Sequence, residues 1–325
     1  MTAAAILSAI PKLSALVVGD ICLDRWCTYD PSEAEPSRET GIPRIAVTAV
    51  EVTPGAGGTV ASNLAALGAS RVAVLGAAGD DGFGYELERA LAARGISAEL
   101  LVKAPGMRTF TYTKVINGLT GGEDCPRLDF INNVPLAPAV ERRLLDRLQS
   151  AVEQFDVILV SDQAETGRGG VITPAIRDLL ADLAAAYREK VFFADSRSRM
   201  ELFRGVIVKG NEQEAGEACA RIGAADAQAL FETLGAPLLI VTRGPKGVSL
   251  HERLGEVWVA ASPVEHPVDI CGAGDSFSAG AALALAAGAN PLHSARFGNL
   301  IASITIMKKG TGTASPEEVL ANACD

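Results

Sequence analysis

Short, continuously apolar runs recur along the chain, at Ala15–Val18, Arg71–Leu75, Val157–Ser161, Val191–Ala194, Val206–Val208 and Leu238–Thr242. A strand with one solvated face alternates apolar and polar residues. A run that is apolar throughout is buried on both faces, as in a parallel sheet. Between these runs apolar residues return at helical spacing. Gly84–Arg94 carries Leu87, Leu91 and Ala92, Glu141–Phe155 carries Leu144, Leu145, Leu148 and Val152, and Ile172–Tyr187 carries Ile176, Leu179, Leu180 and Leu183. Strands alternating with helices predict βαβ units and a three-layer α/β fold with a mostly parallel central sheet. The N-terminus reads as a short helix and a turn before the first strand. Ser315-Pro316-Glu317-Glu318 reads as the cap of a last helix.

Two stretches break this rhythm. Ile42–Val52 and Arg108–Ile116 read as exposed strands, the second alternating Thr109, Thr111 and Thr113 with Phe110, Tyr112 and Lys114. They predict a small second sheet acting as a β-lid, with lid segments at about 22–54 and 107–132 of a single domain spanning 1–325. The polar, proline-rich residues between Trp26 and Glu39 predict a loop.

Composition narrows the function classes. A hydrophobic fraction of 48% excludes intrinsic disorder. With 29 basic against 39 acidic residues the net charge is −10, which argues against nucleic acid, and 5% aromatic content argues against base stacking. The six cysteines form no C-x-x-C pair and the three histidines are scattered, so free thiols in a reducing cytoplasm are expected. The apolar stretch Ala279–Ala289, broken by Gly280 and Gly288, is too short to span a membrane.

The glycine-rich segments carry the candidate chemistry. Asp269-Ile270-Cys271-Gly272-Ala273-Gly274-Asp275 opens a helix of about Ala273–Ala287. Free amides at such a start attract an anion, and glycine permits close approach. Asp275 then stands beside a bound phosphate. It either takes a proton from a nucleophile attacking that phosphate or complements the helix dipole. Cys271, at the same start, is either favoured as a thiolate or a buried, inert thiol. Pro54–Asn63 holds Gly55, Gly57 and Gly58 before another helix, but Val60 breaks the dinucleotide spacing. Asn211 and Glu214 fit a capping box, and Glu214 also suits a hydrated Mg²⁺. Thr242-Arg243-Gly244-Pro245-Lys246-Gly247 fits either a hairpin turn or a nucleotide loop at the sheet's carboxyl edge. Asp20, with Asp24 nearby, follows the first strand, where it can meet polyol hydroxyls.

Taken in order, Gly19-Asp20, Pro54–Asn63, Asn211-x-x-Glu214, Thr242-Arg243-Gly244 and Asp269–Phe277 resemble the PfkB, or ribokinase-like, carbohydrate kinases. The likeness runs from about Leu16 to Pro316. Gly19-Asp20-x-x-Leu23-Asp24-Arg25, Arg127-Leu128-Asp129-Phe130 and Val241-Thr242-Arg243 look closest to the bacterial heptose-phosphate kinases. The resemblance implies ATP-dependent phosphorylation of a sugar or sugar-phosphate hydroxyl. It assigns Asp275 as the base and Gly272, Ala273 and Gly274 as the anion hole. Asn211 and Glu214 fall to the Mg·ATP phosphates, Thr242, Gly244 and Gly247 to the nucleotide, and Asn299 to the adenine. Asp269 matches a monovalent-cation (K⁺) position, and Asp20, Gly57, Gly58 and Thr59 face the sugar. Relatives of this kind pair through their lids, which implies a homodimer.

The chain departs from that pattern on the sugar side, where Thr59 stands for an asparagine, Asp195-Ser196-Arg197 for Asp-Pro-Lys and Glu165 for a lysine, and away from it, where Cys271 stands for a threonine. Glu165 favours a neutral sugar, whereas Arg127 and Arg197 favour a phosphate. Two other classes stay open. One is an NAD-binding oxidoreductase built on Gly55–Gly58. The other is a non-catalytic sugar- or nucleotide-binding protein on a kinase fold.

Overall fold

The computed structural model describes residues 1–163, 169–261 and 263–323. Among these, nine strands form one sheet. In spatial order they are Gly255–Val259, Val248–Glu252, Leu239–Thr242, Ile207–Asn211, Val191–Ser196, Val157–Asp162, Ser14–Gly19, Arg71–Leu75 and Ile96–Ser97. The pairings of Gly255–Val259 with Val248–Glu252 and of Val248–Glu252 with Leu239–Thr242 are antiparallel, and every later pairing is parallel. The apolar runs are therefore the parallel strands the sequence predicts.

Alternation within each run feeds two cores. Ala15, Val17, Val72, Val74, Val157 and Leu159 pack on one face, among residues of the helices Gly57–Ala66, Gly82–Ala92, Ala273–Ala286 and Pro291–Thr305. Leu16, Val18, Ala73, Leu75, Ile158 and Val160 pack on the other, with Pro138–Ala151, Pro174–Ala186, Glu212–Ile222 and Ala227–Leu234. A strand covered on both faces has no position to spare for a polar side chain, which explains the unbroken apolar runs. The two antiparallel strands pass unannounced in the sequence, because Val248–Glu252 and Gly255–Val259 mix charge with apolar residues at the sheet edge.

A second sheet of four strands, in the order Val47–Ala56, Ile21–Tyr29, Thr111–Asn117 and Leu128–Phe130, stands off the first. The strand Ile21–Tyr29 runs three residues past Trp26, so the expected loop begins only at Asp30. Cys22, Leu23 and Cys27 are buried, while Asp24, Arg25 and Trp26 border a cleft and so read as polar. The threonine face of the third strand is buried rather than exposed. Thr109 donates its hydroxyl to Asp81 at 2.7 Å, and Thr111 donates to the Thr109 carbonyl at 3.1 Å. No described helix is long and apolar enough to cross a membrane.

Candidate active site

Parallel strands leave their carboxyl ends on one edge, and ligands of open α/β sheets bind outside that edge. Here it carries Asp162, Asp195, Asn211 and Thr242 at neighbouring strand ends. Facing them is the helix Ala273–Ala286, whose N-cap Gly272 has φ +77°, a left-handed backbone suited to glycine. A Cβ on Gly272 would stand 3.3 Å from both Thr59 and Thr311. One on Gly274 would stand 3.0 Å from the Lys209 ammonium.

Two clefts meet at this helix start. The larger, about 380 Å³, is bordered by Asn211, Glu214, Thr242, Gly244, Gly247 and Asn299, together with Gly272, Ala273, Gly274 and Asp275. The structure thus gathers every residue assigned from sequence to the nucleotide and the anion hole into one cavity. Asn211 and Glu214 form the expected capping box: the Asn211 side chain accepts the Glu214 N–H at 2.9 Å, and Glu214 accepts the Asn211 N–H at 2.7 Å. Thr242–Gly247 is the expected turn, and it lies where its other reading, a nucleotide loop, requires. It makes the turn between antiparallel strands and also borders the cleft.

The smaller cleft, about 180 Å³, lies under the second sheet and is bordered by Asp24, Arg25, Trp26, Thr59, Tyr112 and Lys114, with Arg127, Cys271 and Thr311 completing it. Gln163, Arg197, Gly272 and Asp275 border both clefts. Asp275 is partly accessible through them. Enclosure by protein pushes its carboxyl up to about 7, Asp195 and Asp24 add to that, and Lys209 and Arg197 oppose it.

Of the residues assigned to the sugar, Thr59 reaches this cleft and three others do not. Asp20 is 2% exposed, with its carboxylate taken by the N–H groups of Gln163 at 2.9 Å and Val171 at 2.8 Å. A Cβ on Gly57 would stand 2.7 Å from Ile21, and one on Gly58 2.5 Å from Pro54, so these glycines serve close packing. Asp269 borders neither cleft. Its two oxygens accept the N–H groups of Cys271 at 2.9 Å and Gly310 at 3.1 Å, tying the glycine loop to the Gly310 turn. Glu165 lies outside the described residues.

Sequence reasoning offered Arg127 and Arg197 for a phosphate but missed Arg25 and Lys114. Arg25 stacks over Phe83 at 4.7 Å and pairs with Glu86 at 3.4 Å. Lys114 pairs with Glu123 at 3.5 Å, and Arg127 grips Asp129 through two bonds of 2.7 and 2.6 Å. With Arg197 they give the smaller cleft four cationic side chains. It also missed Asp24, whose carboxyl burial raises to about 6 against Lys114 and Arg127. An acid directly after the apolar run Ile21–Leu23 was the available signal. In the larger cleft, buried Lys209 pairs with Asp195 at 2.8 Å, and Ser278 donates to the same carboxylate at 2.8 Å. Burial alone would lower the Lys209 ammonium, but Asp195 turns the shift upward. Cys271 is exposed, yet enclosure of its thiol by protein, with Asp24, Asp269 and Asp275, raises it against the pull of Lys114, which favours the inert-thiol reading.

Comparison with known proteins agrees with this geometry. Over 318 residues the chain is 32% identical to the bifunctional protein HldE of Geobacter sulfurreducens, covering 95% of this chain and 62% of that protein. The HldE of Trichlorobacter lovleyi is 30% identical over 316 residues, again 95% and 62%. The chain thus spans under two thirds of these relatives. Among solved structures, the ribokinase of Thermotoga maritima superposes with a TM-score of 0.70 at 21% identity, covering 95% of this chain and 99% of that one. Phosphofructokinase-2 of Escherichia coli, in complex with potassium, gives 0.69 at 19%, covering 95% and 97%. The family model described as pfkB family carbohydrate kinase matches residues 13–318, and the chain belongs to that family.

Proposed function

We propose that the chain transfers the γ-phosphoryl group of ATP to a hydroxyl of a phosphorylated sugar. The observation that carries this reading is Asp275, a carboxyl raised to about 7 on the wall shared by the two clefts. A base there meets an acceptor hydroxyl from the smaller cleft and a phosphoryl group from the larger. The Gly272–Gly274 turn offers its backbone N–H groups to the developing negative charge, the Ala273 N–H having first to leave the Ile270 carbonyl it meets at 3.2 Å.

Asn211, Glu214, Thr242, Gly244, Gly247 and Asn299 form the donor side. One Glu214 oxygen serves the capping box, and the carboxylate retains a hard oxygen donor for a hydrated Mg²⁺. That ion supplies charge neutralisation at the phosphates when bound. Asp269 has lone pairs beyond its two backbone bonds and suits K⁺. On the acceptor side Asp24 and Thr59 meet hydroxyls, and Arg25, Lys114, Arg127 and Arg197 favour a phosphate. This cationic lining turns the preference from a neutral sugar toward a sugar phosphate. The second sheet acts as a lid that excludes water from the transfer. Its exposed Ile45, Val47 and Val50 suit pairing with a second copy of the chain.

The test is ADP release with MgATP across neutral sugars, their terminal phosphates and nucleosides. Release that depends on a sugar phosphate supports the reading. No acceptor-dependent release from any of them contradicts it and favours a binding protein on the kinase fold.

A further inference from the structure

Gln163 and Arg197 border both clefts, yet they belong to neither the glycine loop nor its helix. Behind them lie two buried carboxylates, Asp20 and Asp162, 2% and 1% exposed, close enough for Asp162 to raise the Asp20 carboxyl. Asp20 divides its oxygens between two points of the chain: Oδ2 accepts the Gln163 N–H at 2.9 Å and Oδ1 the Val171 N–H at 2.8 Å. Its main chain joins two more, donating to the Ser161 carbonyl at 3.0 Å and accepting the Gly57 N–H at 2.9 Å. Asp162 holds the other side. Its carbonyl accepts the Arg197 N–H at 3.1 Å, and its carboxylate accepts the Ser196 hydroxyl at 2.7 Å and pairs with Arg199.

Burying two like charges together is costly. Neither acid borders a cleft, so contact with a ligand does not explain them. The Asp20 carboxylate fixes the Gln163 backbone directly, whereas the Asp162 carboxylate fixes Ser196 and Arg199 around Arg197, whose own N–H the Asp162 main-chain carbonyl accepts.

We propose that Asp20 and Asp162 are a positioning pair that sets Gln163 and Arg197 where the acceptor hydroxyl meets the donor phosphoryl group. This rests on the kinase reading above. Small displacements at such a boundary cost rate steeply, because reacting atoms must align within a fraction of an ångström. In Asp20→Asn one of the two amides loses its acceptor or faces an amide NH₂ instead.

The experiment measures Asp20→Asn, Asp162→Asn and the double variant with MgATP and heptose 7-phosphate as the acceptor probe. Each single change is expected to lower kcat/KM for the acceptor about tenfold or more, with KM for MgATP within about twofold. The double variant is expected to lose little more than the worse single one, because the two act on one boundary. A merely structural defect would lower both substrates' kcat/KM in step by reducing the active fraction. Amide hydrogen exchange in Asp20→Asn supplies a readout independent of turnover. Faster exchange at Gln163 and Val171, with Glu214 still protected, supports the pair even if the wild type rejects the probe and the kinase reading fails. Wild-type acceptor kinetics in Asp20→Asn, or unchanged exchange at both amides, overturns it. If that variant does not fold, Gln163→Ala decides. A raised acceptor KM supports the proposal, and an unchanged one overturns it.

Discussion

Asp275 carries two consequences that follow from one displaced proton equilibrium. As a base it must be ionised, so kcat/KM is expected to rise about tenfold per pH unit below about 7 and level off above it. A profile flat from pH 5 to 9 would contradict that role. The same shift bears on stability. The folded carboxyl titrates near 7 and the unfolded one near its ordinary 3.8. Between those values the folded state holds a proton the unfolded state has released, so stability falls as pH rises through the window. Asp275→Asn removes that loss, so its Tm should exceed the wild-type Tm by more at pH 8 than at pH 4. Cys271 shows how a local rule is overruled. A helix start alone favours a thiolate, but the protein enclosing the thiol of this exposed residue, and then the neighbouring carboxylates, hold the proton on. Alkylation of Cys271 is expected to be slower at pH 7.5 than that of a free cysteine, and a faster reaction would contradict this assignment.

The parallel strands and the helix spacings were readable because burial on two faces leaves a continuous apolar signature. The strand Ile21–Tyr29 was not, because its cleft-facing residues are chosen for chemistry and imitate a loop. The same cause hid the roles of Asp24, Arg25 and Lys114, whose meaning lies in residues brought beside them from other elements. Asp20 erred the opposite way, since its motif position suggested a ligand and its folded partners are backbone amides. The helix Ala273–Ala286 owes its placement to close contact with Pro291–Thr305. A Cβ on Gly298 would stand 2.8 Å from the Phe277 ring and 3.0 Å from its carbonyl. Gly298→Ala is therefore expected to cost about 1–3 kcal/mol through overpacking, as measured by urea unfolding. It should also lower activity by shifting the glycine turn. Unchanged stability would mean that the helices can separate freely.

At the scale of the molecule, a net charge of −10 repels a phosphorylated acceptor at long range, while four cations bordering one cleft attract it at short range. Each is backed or held by neighbouring groups, as Arg127 is by Asp129 and by Tyr112 at 4.9 Å. Raising the salt should therefore increase KM for a sugar phosphate and leave that of its neutral sugar nearly unchanged. Equal responses would place the phosphate outside the cleft. The central claim is that Asp275 joins two binding sites as the base of phosphoryl transfer. The most direct measurement compares kcat of the wild type and Asp275→Asn at saturating MgATP and sugar phosphate. The account predicts a fall of about 10²–10⁴-fold with the fold intact and MgATP bound as tightly or more tightly. Wild-type turnover in the asparagine variant would contradict it and leave Asp275 as a residue that merely favours its helix dipole.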